Sequence, residues 1–78
     1  MGPEGFIQDP ATKEIKRFHR DKKSWTRDPK VFVDKGVPIP GEPPLPKTRV
    51  RMRRDAAEHL WKELQQVGWQ QVDPCWGD

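Results

Sequence analysis

Residues 54–69 read RDAAEHLWKELQQVGW. Within this stretch Ala57, Leu60, Trp61, Leu64 and Val67 fall at i, i+3, i+4, i+7 and i+10, which is one apolar stripe on an α-helix. Glu58, Lys62, Glu63, Gln65 and Gln66 fall on the other side. Gly68 is placed to adopt the left-handed conformation that closes a helix, and Trp69 then packs back on Leu64. No Ser, Thr, Asp or Asn precedes the stretch, so its N-cap is weak, while Asp55 suits the positive end of the helix dipole.

Upstream, Thr48-Arg49-Val50-Arg51-Met52-Arg53 alternates with period two, the mark of a half-buried strand with an arginine row on its solvent side. Residues 37–46, VPIPGEPPLP, hold five prolines and predict an extended, polyproline-like connector. Val31-Phe32-Val33 is β-branched and aromatic and predicts a short strand. Nearer the N-terminus, Phe6-Ile7-Gln8 and Ile15–His19 read as a hairpin joined through Asp9-Pro10, where the aspartate bonds backbone amides and the proline presets the turn. Ile15 and Phe18 have opposite parity, so either a bulge intervenes or this strand is buried on both faces. A last short strand is expected at Trp69–Val72.

These elements give an α+β fold: a small antiparallel sheet of three to four short strands packed by one amphipathic C-terminal helix. Residues 1–78 make one domain, with a hairpin and strand region (5–36), a proline-rich connector (37–46), a strand-helix-strand unit (47–72) and a tail (73–78). The expected core comprises Phe6, Ile15, Phe18, Phe32, Val50 and Met52 from the strands. Leu60, Trp61, Leu64, Val67, Trp69 and Val72 complete it.

Size and composition narrow the function classes. A chain of 78 residues, 32% apolar and 35% charged, buries little over ~60% of its unfolded surface and has no room for a water-excluding cleft. Cys75 is the single cysteine, which rules out a disulfide-stapled scaffold. The segment MGPEGFIQDP has neither the basic start nor the apolar run of a signal peptide, and no window approaches a membrane span, so the cytoplasm is the expected location. Charge is unevenly placed: residues 1–54 carry 14 Lys/Arg against 7 Asp/Glu, a net +7. Residues 55–78 carry 1 against 5, a net −4, and the whole chain is +3.

The pattern Phe6-Ile7-Gln8-Asp9-Pro10, Arg17-Phe18-His19, Trp25 with Asp28-Pro29, and Val31–Gly36 runs into the proline stretch. It continues with Arg53-Arg54-x-Ala56, Leu60-Trp61, Leu64, Gly68-Trp69 and Pro74-x-Trp76. Across residues 5–77 this resembles a family of short uncharacterised proteins of marine picocyanobacteria and their phages, with Phe6 where that family has Trp. The resemblance implies a small, soluble, intracellular protein and carries over no catalytic or binding residues.

Two constellations point to binding rather than catalysis. Lys47, Arg49, Arg51, Arg53 and Arg54, widened by Arg17 and Arg20, make a basic patch that can follow a phosphate backbone, and the bland reading is a solvated sheet face with paired arginines. Trp25 and Trp76 sit in loop-like contexts where an aromatic either anchors a partner or lids the core. The stacking of a base on Trp25 becomes a serious reading where that ring is exposed beside Arg20 and Lys22. Pro43, Pro44 and Pro46 resemble a ligand of an aromatic groove, against a plain connector role. His19, His59 and Cys75 have no metal-ligand spacing, and no nucleophile has a base at a recognisable distance, so a non-enzyme without cofactor is expected. The first functional expectation is a protein-interaction or regulatory accessory module. The second is an RNA- or DNA-binding accessory protein using the basic sheet face. No membrane or small-molecule substrate is expected.

Overall fold

The computed structural model describes residues 4–75. Five strands and one helix follow one another: β1 (Gly5–Gln8), β2 (Ile15–Arg20), β3 (Lys30–Ile39), β4 (Glu42–Arg53), α1 (Arg54–Gln66) and β5 (Gln70–Val72). The strands form one sheet in the order β4-β3-β2-β1-β5, with every neighbouring pair antiparallel. The fold is therefore α+β as expected, with five strands rather than three to four. The helix is followed by β5 and is not the last element.

This topology follows from lengths. β4 lies at one edge and β5 at the other, and α1 joins them without a loop before it. A 13-residue helix spans about 20 Å, and four inter-strand steps measure about 19 Å. The helix is thus long enough to cross one face from edge to edge and deliver the chain to β5. Its C-terminus closes as the glycine implies. Gly68 has φ +106°, its N–H donates to the Gln65 carbonyl at 3.2 Å, and the Trp69 N–H donates to Leu64 at 2.9 Å. This pair of bonds is the Schellman arrangement, and it turns Trp69 back beside Leu64 on the core.

Between helix and sheet Ile7, Phe18, Val31 and Val33 of the strands meet Ala57 of the helix, all buried, with Met52, Leu60, Trp61, Leu64 and Trp69 packed around them. The Trp61 ring meets Phe18 edge-on, centroids 5.0 Å apart at 90°, a favoured aromatic geometry. β2 is unbulged and buried on both faces: Phe18 points to the helix and Ile15 to the opposite face. Ile7 is wholly buried though absent from the expected core. Two expected core residues are instead exposed, Val67 at 75% and Val50 at 52%. Val67 is the residue between the last helical turn and Gly68, where the chain has already swung off the sheet. Val50 lies on the edge strand, where no neighbour covers its outer side. Phe32 and Val72 are half-buried.

The proline stretch is a correction of substance. Residues 37–46 are a hairpin rather than a connector: β3 runs to Ile39, Pro40-Gly41 makes the turn, and β4 returns from Glu42. Gly41 has φ +77° after a proline, the order that a type II turn requires. Prolines are tolerated in β4 because it is the edge strand, where a missing N–H facing outward breaks no ladder bond. Pro43 and Pro44 fall in a register shift, and a second shift at Lys35/Gly36 leaves Lys47 unpaired.

Candidate functional site

The face of the sheet away from the helix carries the arginine row. Adjacent-strand pairing sets Val72, Phe6, Arg17, Asp34 and Arg49 in line across all five strands. Each arginine of β4 has an aspartate. Asp34, 4% exposed, accepts from Arg49 Nε on Oδ1 at 2.7 Å and from Nη2 on Oδ2 at 3.0 Å, and His19 Nε2 lies 2.9 Å from that same Oδ2. Arg51 Nε donates to Asp21 at 2.8 Å, and Arg53 Nε stands 3.6 Å from Asp28. The Arg49 guanidinium also lies over the Phe32 ring at 4.8 Å, and Arg17 over Phe6 at 5.6 Å. The row is thus half-exposed and internally paired at once. Its hold weakens along the strand, from the bidentate, buried Asp34 pair to the loose Asp28 pair.

These contacts set the carboxylates. Burial pushes Asp34 up, but the bonds from Arg49 and His19 outweigh it and hold its pKa below the ordinary value. The Lys23 amide, followed by Arg51, lowers Asp21, and Lys30, followed by Arg53, lowers Asp28. All three therefore stay ionised at neutral pH. Cys75 shifts the other way, its thiol raised by burial and by Asp73.

The second basic cluster lies at the end of the sheet where β2 stops and β4 becomes α1. Here Trp25 is 78% exposed on the loop between β2 and β3. It shares a shallow depression of about 190 Å³ with Arg20, Lys22, Thr26, Pro29 and Arg54. A neighbouring depression of about 320 Å³ is bounded by Arg27, Asp28, Arg53 and Asp55, and shares Pro29 and Arg54 with the first. Arg20, Lys22, Arg27 and Arg54 are exposed, and among the described residues none has an ion-pair partner.

The loop that presents Trp25 is held by its own bonds. Ser24 donates its hydroxyl to the Asp21 carbonyl at 2.7 Å and accepts from the Lys30 N–H at 3.1 Å. Asp21 accepts from the Lys23 N–H at 3.0 Å while bound to Arg51. Asp28 pairs with Lys30 at 2.9 Å, and the Arg54 N–H donates to the Pro29 carbonyl at 3.1 Å. That last bond also satisfies one of the helix N–H groups left open by the missing side-chain cap.

The candidate residues are therefore re-sorted. Arg20 and Arg54 join Trp25, and Arg53 lies beside them. Arg17, Arg49 and Arg51 belong to the sheet-face row, and Lys47 lies farther along β4. β2 pairs with β3 and not with β4, so the N-terminal hairpin does not extend the β4 row directly. Trp25 is a surface residue rather than a lid. Pro43, Pro44 and Pro46 lie toward the other end of β4, roughly 20–30 Å along the strand from Arg53. Trp76 lies outside the described residues. Lys22 flanks Trp25 as the sequence suggests, while Arg27 carries no sequence signal of its own and joins the cluster only once the loop folds over the start of the helix. Among the described residues no three His, Cys, Asp or Glu side chains converge as a metal ion would require, and no helix is long and apolar enough to cross a membrane.

Neither curated proteins nor solved structures yield a match to this chain. A family model does match, over residues 4–76, nearly the whole chain and every element of the sheet and helix. The chain belongs to the family described as "Protein of unknown function (DUF1651)".

Proposed function

We propose that this protein is a small, non-catalytic accessory module that binds single-stranded RNA or DNA through its Trp25 end. The observation that carries the reading is an exposed tryptophan on a hydrogen-bonded loop, in one depression with Arg20, Lys22 and Arg54 and next to a second that Arg27 lines, four cations with no ion-pair partner among the described residues. Stacking on an aromatic side chain contributes roughly 1–3 kcal/mol per base and requires the base to be unpaired, while nearby cations draw in the phosphates. A loop already held by Ser24, Asp21 and Asp28 loses little entropy on binding. The paired row on the sheet face adds positive potential but is engaged with its own aspartates. We place this activity in the cytoplasm, in the picocyanobacterial or phage-borne setting that the resemblance implies.

A protein partner is the second reading, favoured by the same exposed Trp25, since tryptophan is a common anchor at interfaces. The two separate on salt. With three to four phosphates neutralised, affinity for a 12-nucleotide single strand should fall about 20- to 50-fold between 50 and 200 mM salt. Fluorescence anisotropy with labelled single strands and duplexes reads this directly. No binding to either at 50 mM salt removes the nucleic-acid reading and leaves the protein anchor.

A further inference from the structure

We infer that the Trp25 end accepts two consecutive nucleotides of one strand, with a base stacked on Trp25 in the first depression, its neighbour in the second, and Arg54 at the phosphate between them. The inference rests on the nucleic-acid reading above and names the unit that this site recognises.

The two depressions are adjacent and have a common wall, Pro29 and Arg54. Each is small. At about 190 and 320 Å³ they lie at or below the lower end of pockets that enclose a drug-sized molecule, so each suits one flat ring rather than an extended ligand. The cations are shared between them: Arg20 and Lys22 border the first, Arg27 and Arg53 the second, and Arg54 both. The carboxylates at the site are already occupied. Asp21 holds Arg51, Asp28 holds Lys30 and stands near Arg53, and Asp55 accepts from the Ala56 N–H at 3.1 Å. Asp21 and Asp28, being ion-paired, therefore repel an incoming phosphate less than a bare count of charges implies, while Asp55 keeps its charge.

Selectivity follows from the same geometry. A duplex offers no free base face to Trp25. The Ser24 hydroxyl already donates to Asp21 and accepts from Lys30, so Thr26 is the one hydroxyl lining the first depression that is left to meet a base edge, and binding should tolerate most base sequences. Arg49 has no part in this unit, because it is held by Asp34 well away along β4.

The test follows the Trp25 indole N–H in two-dimensional NMR spectra of the full chain at 50 mM salt. The titrants are adenosine monophosphate, the dinucleotide ApA, a 12-nucleotide single strand and a 12-base-pair duplex. ApA should bind at least ~10-fold more tightly than the mononucleotide. The mononucleotide carries the greater phosphate charge, so that gain cannot come from charge alone. Arg54→Ala should abolish the gain of ApA over the mononucleotide, and Trp25→Ala should weaken both ligands. Arg49→Ala reports on general charge and should leave the gain in place. Affinity that rises evenly with length, or an Arg54→Ala variant weakened equally for all ligands, overturns the two-nucleotide site while the broader reading stands. Failure of the 12-nucleotide strand to bind at all removes both.

Discussion

Asp34 and Arg49 face each other directly across the β3–β4 ladder and are joined by two hydrogen bonds, of 2.7 and 3.0 Å. The pair is a fork: a planar guanidinium grips both oxygens of a carboxylate that is itself nearly excluded from water. His19 approaches the same carboxylate from β2, so three strands are tied at one side chain.

Asp34→Asn should therefore lower stability at pH 7 by about 1–3 kcal/mol, the usual range for losing hydrogen bonds to a charged group. The carboxyl's folded pKa is depressed, so its contribution is present above the ordinary value of 3.8 and is lost as pH falls through the folded value. Urea denaturation of both proteins at neutral pH and below pH 4 checks this. The gap between them should close on the acid side.

Gly68→Ala isolates the helix stop. Nothing lies within 4 Å of where the new methyl would sit, so the cost comes from φ +106° alone. About 1–2 kcal/mol of stability should be lost with no change in nucleic-acid binding.

The helix stripe makes a sharper distinction than periodicity does. Trp61→Ala removes the edge-on contact with Phe18 and should cost about 3–5 kcal/mol, whereas Val67→Ala should stay within about 0.5 kcal/mol. Thermal denaturation separates the two cleanly. Equal losses would mean that Val67 is packed.

Much of this architecture is legible in local chemistry. Asp9 accepts from the Ala11 N–H and the Thr12 hydroxyl, as an Asp-Pro turn demands, and Gly68 with Trp69 announces the end of the helix. What the sequence withholds is position within the sheet. Five prolines argue against a strand unless the strand is at an edge, and edge status is set by where the other strands pair. Val50 has the alternation of a core residue and lacks only a neighbour. The arginines of β4 find aspartates that lie 15, 30 and 25 positions earlier, at Asp34, Asp21 and Asp28, and only the folded sheet brings these together. The Trp25 cluster was half visible: its ring and Arg20 are close in sequence, but Arg54 arrives from the start of the helix.

Arg49→Ala and Arg54→Ala should consequently part company. The first removes the fork to Asp34 and should lower stability while weakening strand binding only modestly. The second should leave stability within about 0.5 kcal/mol and weaken binding several-fold. Denaturation midpoints and anisotropy titrations on the same preparations measure both quantities.

The proposed contact point is Trp25, and the affinity lost with its ring measures that contact. Anisotropy of a labelled 12-nucleotide single strand would be followed with the wild-type chain and with Trp25→Ala at 50 mM salt. Stacking of one base predicts a loss of about 5- to 150-fold, from ~1–3 kcal/mol, in a variant whose denaturation midpoint is unchanged because the ring lies 78% exposed. Equal affinity in the two proteins would rule out stacking on Trp25.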